Sequence, residues 1–325
     1  MSPATRWKPD ILGNDWVSRS IPLGSDDEGP VDATLVRKSG TRNSPRAVLY
    51  IHGFVDYFFQ AHEGEFFEQL GYDFYAIDLR KYGRSLHQGQ TPNYVENLAD
   101  YRFELDAAAR IIASEGHTEL IVLGHSTGGL VASLWVNART NRSEHDLGIE
   151  ITGLILNSPW FDLNKPWITR TLGTSIIAEL SKFAPRLKVG SLKPYYGRAL
   201  HSSAEGEWDY DLTLKPHEGF PVRAAWFTAV RRGHAQIARG LNIHCPVLVL
   251  ASERSGSAEK YHHELVTTDS VLNVEHIAAG ASKLGAQVTF VPIALGAHDL
   301  ALSPEPARTS YFDAVRAWLA GLSDN

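Results

Sequence analysis

The stretch Gly124-His125-Ser126-Thr127-Gly128-Gly129 holds one serine between glycines at G-x-S-x-G spacing. An apolar run, Leu120 to Leu123, precedes it, and a helical pattern, Leu130 to Arg139, follows. A strand must therefore turn abruptly into a helix at Ser126, and glycines are required where a Cβ would collide with the neighbouring strand and helix. Such a turn lifts a serine hydroxyl out of the sheet for nucleophilic attack. The helix that starts just after it also aims unpaired N–H groups and a positive dipole end at the place where negative charge would develop.

A serine hydroxyl at neutral pH is a poor nucleophile, so Ser126 needs a base within hydrogen-bond reach and a carboxylate to orient that base. The chain order that accompanies this kind of elbow is serine, acid, histidine. His298, in Gly296-Ala297-His298-Asp299 after the final apolar run Val288 to Ile293, is the expected base. His52 and His125 lie inside motifs where packing and backbone hydrogen bonding are the expected work. His262, His263 and His276 fall on helix or loop positions, and no pair has metal-ligand spacing with supporting carboxylates.

Two carboxylates compete for the acid. Glu253 directly follows the apolar run Val247 to Ala251, whereas Asp269 lies beyond an extra segment, Gly256 to Thr268, just ahead of a helical pattern from Val274. Asp269 is preferred, because Asp269-Ser270-Val271 leads into that helix as an acid loop with an insertion placed before it would. Asp is also a favoured helix-capping residue, which gives Asp269 a structural alternative. An addition intermediate further needs two N–H donors for its oxyanion. Thr127, the residue after the serine, and Phe54, in His52-Gly53-Phe54 at the end of the apolar run Ala47 to Ile51, are the expected donors.

The elements that must position these residues alternate. Ala47 to Ile51, Phe74 to Leu79, Leu120 to Leu123, Ile151 to Leu156, Val247 to Ala251 and Val288 to Ile293 read as strands buried on both faces. Helical patterns occur at Glu65 to Leu70, Asn97 to Gly116, Val274 to Leu284 and Pro306 to Leu319. The β-α-β-α order predicts an α/β fold with a mostly parallel sheet flanked by helices. An antiparallel hairpin, Trp16 to Leu23 with Val31 to Lys38, should open it across the turn residues Gly24 to Pro30.

Phe161 to His244 breaks the rhythm, with Trp160, Trp167, Trp208 and Trp226 on or near it. It reads as an inserted helical cap over residues 161–244, with helices around Ile168 to Phe183 and Arg223 to Ala238 joined by the Pro/Gly/Tyr-rich segment Lys193 to Tyr210. Residues 1–160 and 245–325 then form the core.

Composition agrees with a globular chain. The chain has 325 residues, 43% of them hydrophobic, enough for a sizeable core. A net charge of −6 with dispersed basic residues gives no reason to expect a nucleic-acid partner. The one cysteine, Cys245, excludes an intrachain disulfide and reads as a small buried residue. Met1 to Gly13 has no secretory apolar core, and no segment reaches the roughly 20 apolar residues of a transmembrane helix. The expectation is a cytoplasmic protein without cofactor, for which peripheral contact with a membrane surface stays open.

Taken together, His52-Gly53-Phe54, the turn Asp78 to Ser85, Gly124 to Gly129, Ser158-Pro159 and His298-Asp299 resemble the α/β-hydrolase superfamily, and within it the monoacylglycerol lipase, lysophospholipase and serine aminopeptidase branch. Lys81 and Tyr82 depart from a turn that is commonly more glycine-rich in that branch, and the acid loop is extended. The resemblance implies hydrolysis of a monoacylglycerol, lysophospholipid or similar acyl ester beneath a cap. A peptidase, lactonase or acyltransferase could use the same triad, and a non-catalytic binding protein could use the same scaffold.

Overall fold

The computed structural model describes residues 6–40, 44–140, 147–164 and 173–323. Their strands begin with β1 (Lys8–Asp10), β2 (Gly13–Asp26), β3 (Gly29–Lys38) and β4 (Arg46–Ile51). Helix α1 (Ala61–Gln69), β5 (Asp73–Asp78), α2 (Arg102–Ser114), β6 (Glu119–His125), α3 (Thr127–Thr140) and β7 (Glu150–Asn157) follow. Next come α4 (Thr174–Ser181), β8 (Lys188–Gly190), α5 (Tyr195–Leu200), β9 (Val222–Arg223) and α6 (Ala224–Arg239). The chain closes with β10 (Val247–Ser252), α7 (Val274–Ala281), β11 (Val288–Ile293) and α8 (Ala307–Ser323).

Nine strands join in one sheet of order β1-β2-β3-β5-β4-β6-β7-β10-β11. From β5 to β11 every pairing is parallel, while β1, β2 and β3 are antiparallel additions at the other edge. This is the α/β-hydrolase fold, with the expected hairpin as β2 and β3. The runs of β4, β6 and β10 are apolar because each strand is covered on both faces. Val48, Leu49, Val122, Leu123, Val249 and Leu250 are fully buried. On one face α2, α3, α6 and α7 pack through Leu105, Ile112, Val131, Trp135, Val230 and Ile277. On the other, α1 and α8 pack through Phe66, Phe67, Tyr311 and Val315.

One strand departs from expectation. β11 is apolar in sequence but mostly open to solvent, because it is the sheet's last strand. That position also explains Pro292 in mid-strand, since a proline removes a ladder donor and is tolerated at an edge.

The turn residues Lys81 and Tyr82 serve the hairpin and the sheet. Lys81 is buried, and its ammonium lies 2.6 Å from both Asp26 and Glu28 in the β2–β3 turn region. Burial disfavours charge on Glu28, but Lys81 and Thr91 outweigh it and hold its carboxyl at about 2. The lysine therefore clamps the hairpin onto the turn that follows β5.

Between β7 and β10 the chain follows two different packing modes. The expected helix over Ile168 to Phe183 lies partly outside the described residues, as does Trp167; its described part forms α4. The side chains of α4 are all at least partly exposed. In contrast, α6 runs against α3, where Gly233 lies so close to Leu98, Leu130 and Leu134 that an added Cβ would meet them at 3.1–3.3 Å. β8 and β9 form a short antiparallel ribbon that is not buried.

If α6 is part of the main core, truncating Ile237, which is 1% exposed, leaves a cavity beneath the sheet. Ile237→Ala should destabilise the whole domain by about 2–5 kcal/mol in one cooperative transition. A denaturant melt that loses α6 separately while the sheet remains folded would contradict this packing.

Candidate active site

Ser126 follows the last residue of β6 and precedes the first of α3, at φ 53°. Three glycines make that conformation feasible. A Cβ on Gly124 would meet the Gly128 carbonyl at 2.7 Å, and one on Gly128 would meet the Ile51 and His52 carbonyls at 2.2 and 2.3 Å. A Cβ on Gly129 would meet Pro159 at 2.7 Å. The Ser126 N–H donates to the Asn157 carbonyl at 3.0 Å, and the Ser126 carbonyl accepts from the Trp160 N–H at 2.9 Å. The elbow is thus laced to the end of the adjacent strand β7.

His298 stands in the loop after β11, with Nε2 3.0 Å from Ser126 Oγ and Nδ1 3.0 Å from Asp269 Oδ2. Both contacts are hydrogen-bonding distances, so serine, imidazole and carboxylate form one continuous chain. Asp269 is fully buried, and its other oxygen accepts from the Val271 and Leu272 N–H groups at 3.0 and 2.7 Å. Glu253 is exposed and stands outside this chain.

The acid loop explains why two carboxylates compete in the sequence. Residues 255 and 269 pair as an isolated parallel bridge, with the Asp269 N–H on the Arg254 carbonyl at 2.9 Å and the Gly256 N–H on the Asp269 carbonyl at 2.7 Å. The extra segment closes on itself, and Asp269 arrives next to the residues that directly follow β10. Gly256 is needed at the closure, since a Cβ there would lie 2.0 Å from Thr268 Oγ1.

The loop after β4 abuts the elbow. A Cβ on Gly53 would lie 3.2 Å from both Ser126 Cβ and His125 Cδ2, so the His52-Gly53-Phe54 backbone passes directly beside the serine. His52 Nε2 accepts the Leu79 N–H at 3.0 Å and fixes this loop to the end of β5. The ring of Phe54 stacks on Trp226 at 4.2 Å, with Trp160 6.0 Å beyond. Thr127 opens α3, so its N–H is among the first-turn donors that have no intrahelical acceptor.

Sequence reasoning passed over a second buried polar layer behind these groups. Asp299 accepts from Asn157 Nδ2 at 2.8 Å, Gln60 Nε2 at 3.1 Å and the Ala301 N–H at 3.2 Å. Burial works against charge on Asp299, but the pull of His125 and Lys215 and the amides of Asn157 and Gln60 hold its carboxyl below its ordinary value. Gln60 also donates to Tyr50 Oη at 3.2 Å. The available signal was a polar residue, Asn157, directly after the apolar run Leu154 to Leu156.

Comparisons with known proteins can now be set beside this geometry. The family profile described as serine aminopeptidase, S33, matches residues 43–263, more than half of the chain. The chain belongs to this family of α/β hydrolases. The matched stretch contains Ser126 but ends before Asp269 and His298, which only the folded geometry brings to it. Comparison with curated protein sequences gives no match. Among solved structures, a soluble variant of monoglyceride lipase from Saccharomyces cerevisiae aligns with TM-score 0.65 at 16% identity, over 99% of each chain. The monoacylglycerol lipase of Paleococcus ferrophilus aligns with TM-score 0.61 at 16% identity, over 94% of this chain and 99% of that one. A thermophilic esterase from Thermogutta terrifontis aligns with TM-score 0.53 at 18% identity, over 94% and 99%. At these identities the likeness is one of fold.

Glu63 lies in the same interior, where Tyr311 Oη donates to it at 2.7 Å. Burial first, and the Asp299 charge second, push its carboxyl up to about 8. In the unfolded chain Glu63 ionises near 4.5, so between about 4.5 and 8 the folded state keeps a proton that the unfolded state has released. Its contribution to stability therefore falls as pH rises through that window. Glu63→Gln, which imitates the protonated acid, should raise the melting temperature relative to the parent chain, and by more at pH 8 than at pH 5. An increment independent of pH would mean that Glu63 is ionised in the fold.

Proposed function

We propose that the protein is a serine hydrolase of carboxylic esters that works through an acyl-enzyme. The observation that carries this reading is the unbroken Ser126–His298–Asp269 hydrogen-bonded chain, with both links at 3.0 Å, on a strained strand-to-helix turn. Ser126 Oγ attacks the carbonyl carbon while His298 Nε2 takes its proton. Asp269 accepts from Nδ1–H, fixes the tautomer and stabilises the imidazolium. The protonated His298 then gives its proton to the departing alcohol. Water, deprotonated by the same nitrogen, releases the acid and restores Ser126.

Thr127 and Phe54 supply the backbone N–H donors for the oxyanion. Support for this pair comes from the close approach of Gly53 to Ser126 Cβ and from the position of Thr127 at the start of α3. The stacked Phe54 and Trp226 rings, with Trp160 nearby, favour an apolar acyl group, and a monoacylglycerol, lysophospholipid or similar ester is the substrate class. Residues 161–244 act as the cap over this site. Among the described residues no helix is long and apolar enough to cross a membrane. The exposed Ile176, Leu180, Phe183, Leu187 and Leu192 nonetheless favour peripheral contact with a lipid surface, which Phe183→Ser should weaken in vesicle co-sedimentation. Unchanged co-sedimentation of that variant would count against this contact.

The family description gives aminopeptidase chemistry as the second reading, because the same chain of groups can cleave an amide. Fluorophosphonate labelling at Ser126, followed by a p-nitrophenyl ester chain-length series beside aminoacyl p-nitroanilides, separates the two. Faster anilide than ester turnover would favour the peptidase. No labelling at Ser126 would sink both and leave a binding protein.

The roles also predict a ranking. Ser126→Ala, His298→Ala and Asp269→Asn should each lower kcat by roughly 10⁴-fold, with combinations costing little more because the three act as a unit. Glu253→Gln should stay near the parent activity. A dead Glu253→Gln beside an active Asp269→Asn would transfer the acid role.

A further inference from the structure

We propose that Asn157 is a positioning residue that latches the nucleophile elbow to the base loop and so sets the distance between Ser126 and His298. The inference rests on the serine-hydrolase reading given above.

Asn157 ends β7 and is 1% exposed. Its backbone carbonyl faces the elbow, accepting from the Ser126 N–H at 3.0 Å and lying 3.1 Å from His125 Nδ1. Its side chain faces the base loop, where Nδ2 donates to Asp299 Oδ1 at 2.8 Å and Oδ1 accepts the Leu300 N–H at 3.2 Å. One residue therefore holds the backbone of Ser126 from one end and the two residues after His298 from the other. Asp299 is covalently next to His298, so fixing its carboxylate fixes the backbone from which the imidazole projects.

The demand on the side chain is specific. It must offer a donor to a carboxylate and an acceptor to an N–H from one short planar group, which an amide does and which aspartate, leucine or alanine does not. Gln60, Tyr196 and Trp208 also hold this loop, but Asn157 alone among them bonds both it and the Ser126 backbone. A catalytic geometry displaced by about 1 Å costs on the order of 10²-fold in rate. That is the effect expected when the latch opens.

The test compares the full chain with Asn157→Ala, Asn157→Asp, Asp299→Asn and the double exchange Asn157→Asp/Asp299→Asn. The readouts are the fluorophosphonate labelling rate of Ser126 per folded molecule, kcat and KM on a p-nitrophenyl ester, and the melting temperature. Each single variant should lose roughly 10²-fold in labelling rate and kcat with KM nearly unchanged, because Asn157 touches no substrate. Asn157→Asp sets two carboxylates against each other, and Asp299→Asn, whose two carboxylate oxygens both face donors, must turn its amide NH2 onto either Asn157 Nδ2 or Gln60 Nε2. The double exchange restores one carboxylate facing one amide, at the expense of the Ala301 bond, and should recover labelling to within about tenfold of the parent.

General destabilisation would lower the melting temperature without slowing the labelling of molecules that remain folded, and would give no such recovery. If Asn157→Ala does not fold, the exchange series carries the test. A parent chain that does not label at Ser126 overturns the hydrolase reading, and the latch with it. A parent that labels beside single variants that label equally fast overturns the latch alone. So does a folded double variant as slow as its singles.

Discussion

Ser126 is a non-glycine residue held at φ 53°, a conformation that costs about 1–3 kcal/mol and persists only where its surroundings over-determine it. The over-determination is visible on every side. The Gly128 Cα lies under the Ile51 and His52 carbonyls, the Gly129 Cα lies against Pro159, and the serine backbone is bonded to Asn157 and Trp160. The strain is also not confined to the elbow. Val55 after β4, Lys81 after β5, Ser158 after β7 and Leu295 after β11 all adopt positive φ without being glycine. Five strands thus leave the carboxyl edge of the sheet through left-handed residues. The loops that carry these residues meet at that edge, which is where open α/β sheets carry their sites.

The crowding lets short hydrogen bonds cross between loops that are far apart in sequence. His298 reaches Ser126 over 172 residues and Asp269 over 29, while Asp299 meets Asn157 over 142 and Gln60 over 239. A serine, an imidazole and a carboxylate would not stay aligned on mobile loops. Here a second set of amides and carboxylates, away from solvent, holds the first. The pairing carries an electrostatic cost that the interior shares unevenly. His125, Lys215 and two amides outweigh burial at Asp299 and hold its carboxyl below its ordinary value, whereas Glu63, with a hydroxyl as its bonding partner, keeps its proton up to about 8.

Most of this was legible in the sequence wherever one physical requirement dominated a short stretch. Burial on both faces makes β4, β6 and β10 continuous apolar runs, and the collisions at Gly124, Gly128 and Gly129 leave no alternative to glycine, so strand, elbow and helix could be read together. β11 was read as buried because an edge strand that is apolar in composition differs from an interior one only in its neighbours. The preference for Asp269 over Glu253 could be argued from local context. The bridge between Ser255 and Asp269, which puts the later carboxylate beside the end of β10, depends on a closure that no spacing rule encodes. The mutual contacts of Asn157, Gln60 and Asp299 were missed for the same reason. Each is an ordinary polar residue locally, and its work exists only across loops.

The segment between β7 and β10 is fastened to the rest of the molecule in two ways. α6 buries Trp226, Val230 and Ile237 in the same cluster as the sheet and α3, so this part contributes to stability in the way any core helix does. The stretch from α5 onward is fastened to the loops after β4 and β11. Tyr196 Oη accepts the Asp299 N–H at 2.9 Å, Trp208 Nε1 donates to the Leu302 carbonyl at 2.9 Å, and Lys215 lies 2.6 Å from Asp56. In contrast, α4 and the residues after it leave Phe183 89% exposed. α6 thus packs in the sheet's own cluster, and Tyr196, Trp208 and Lys215 bond to the loops after β4 and β11, whereas none of the side chains of α4 is fully buried.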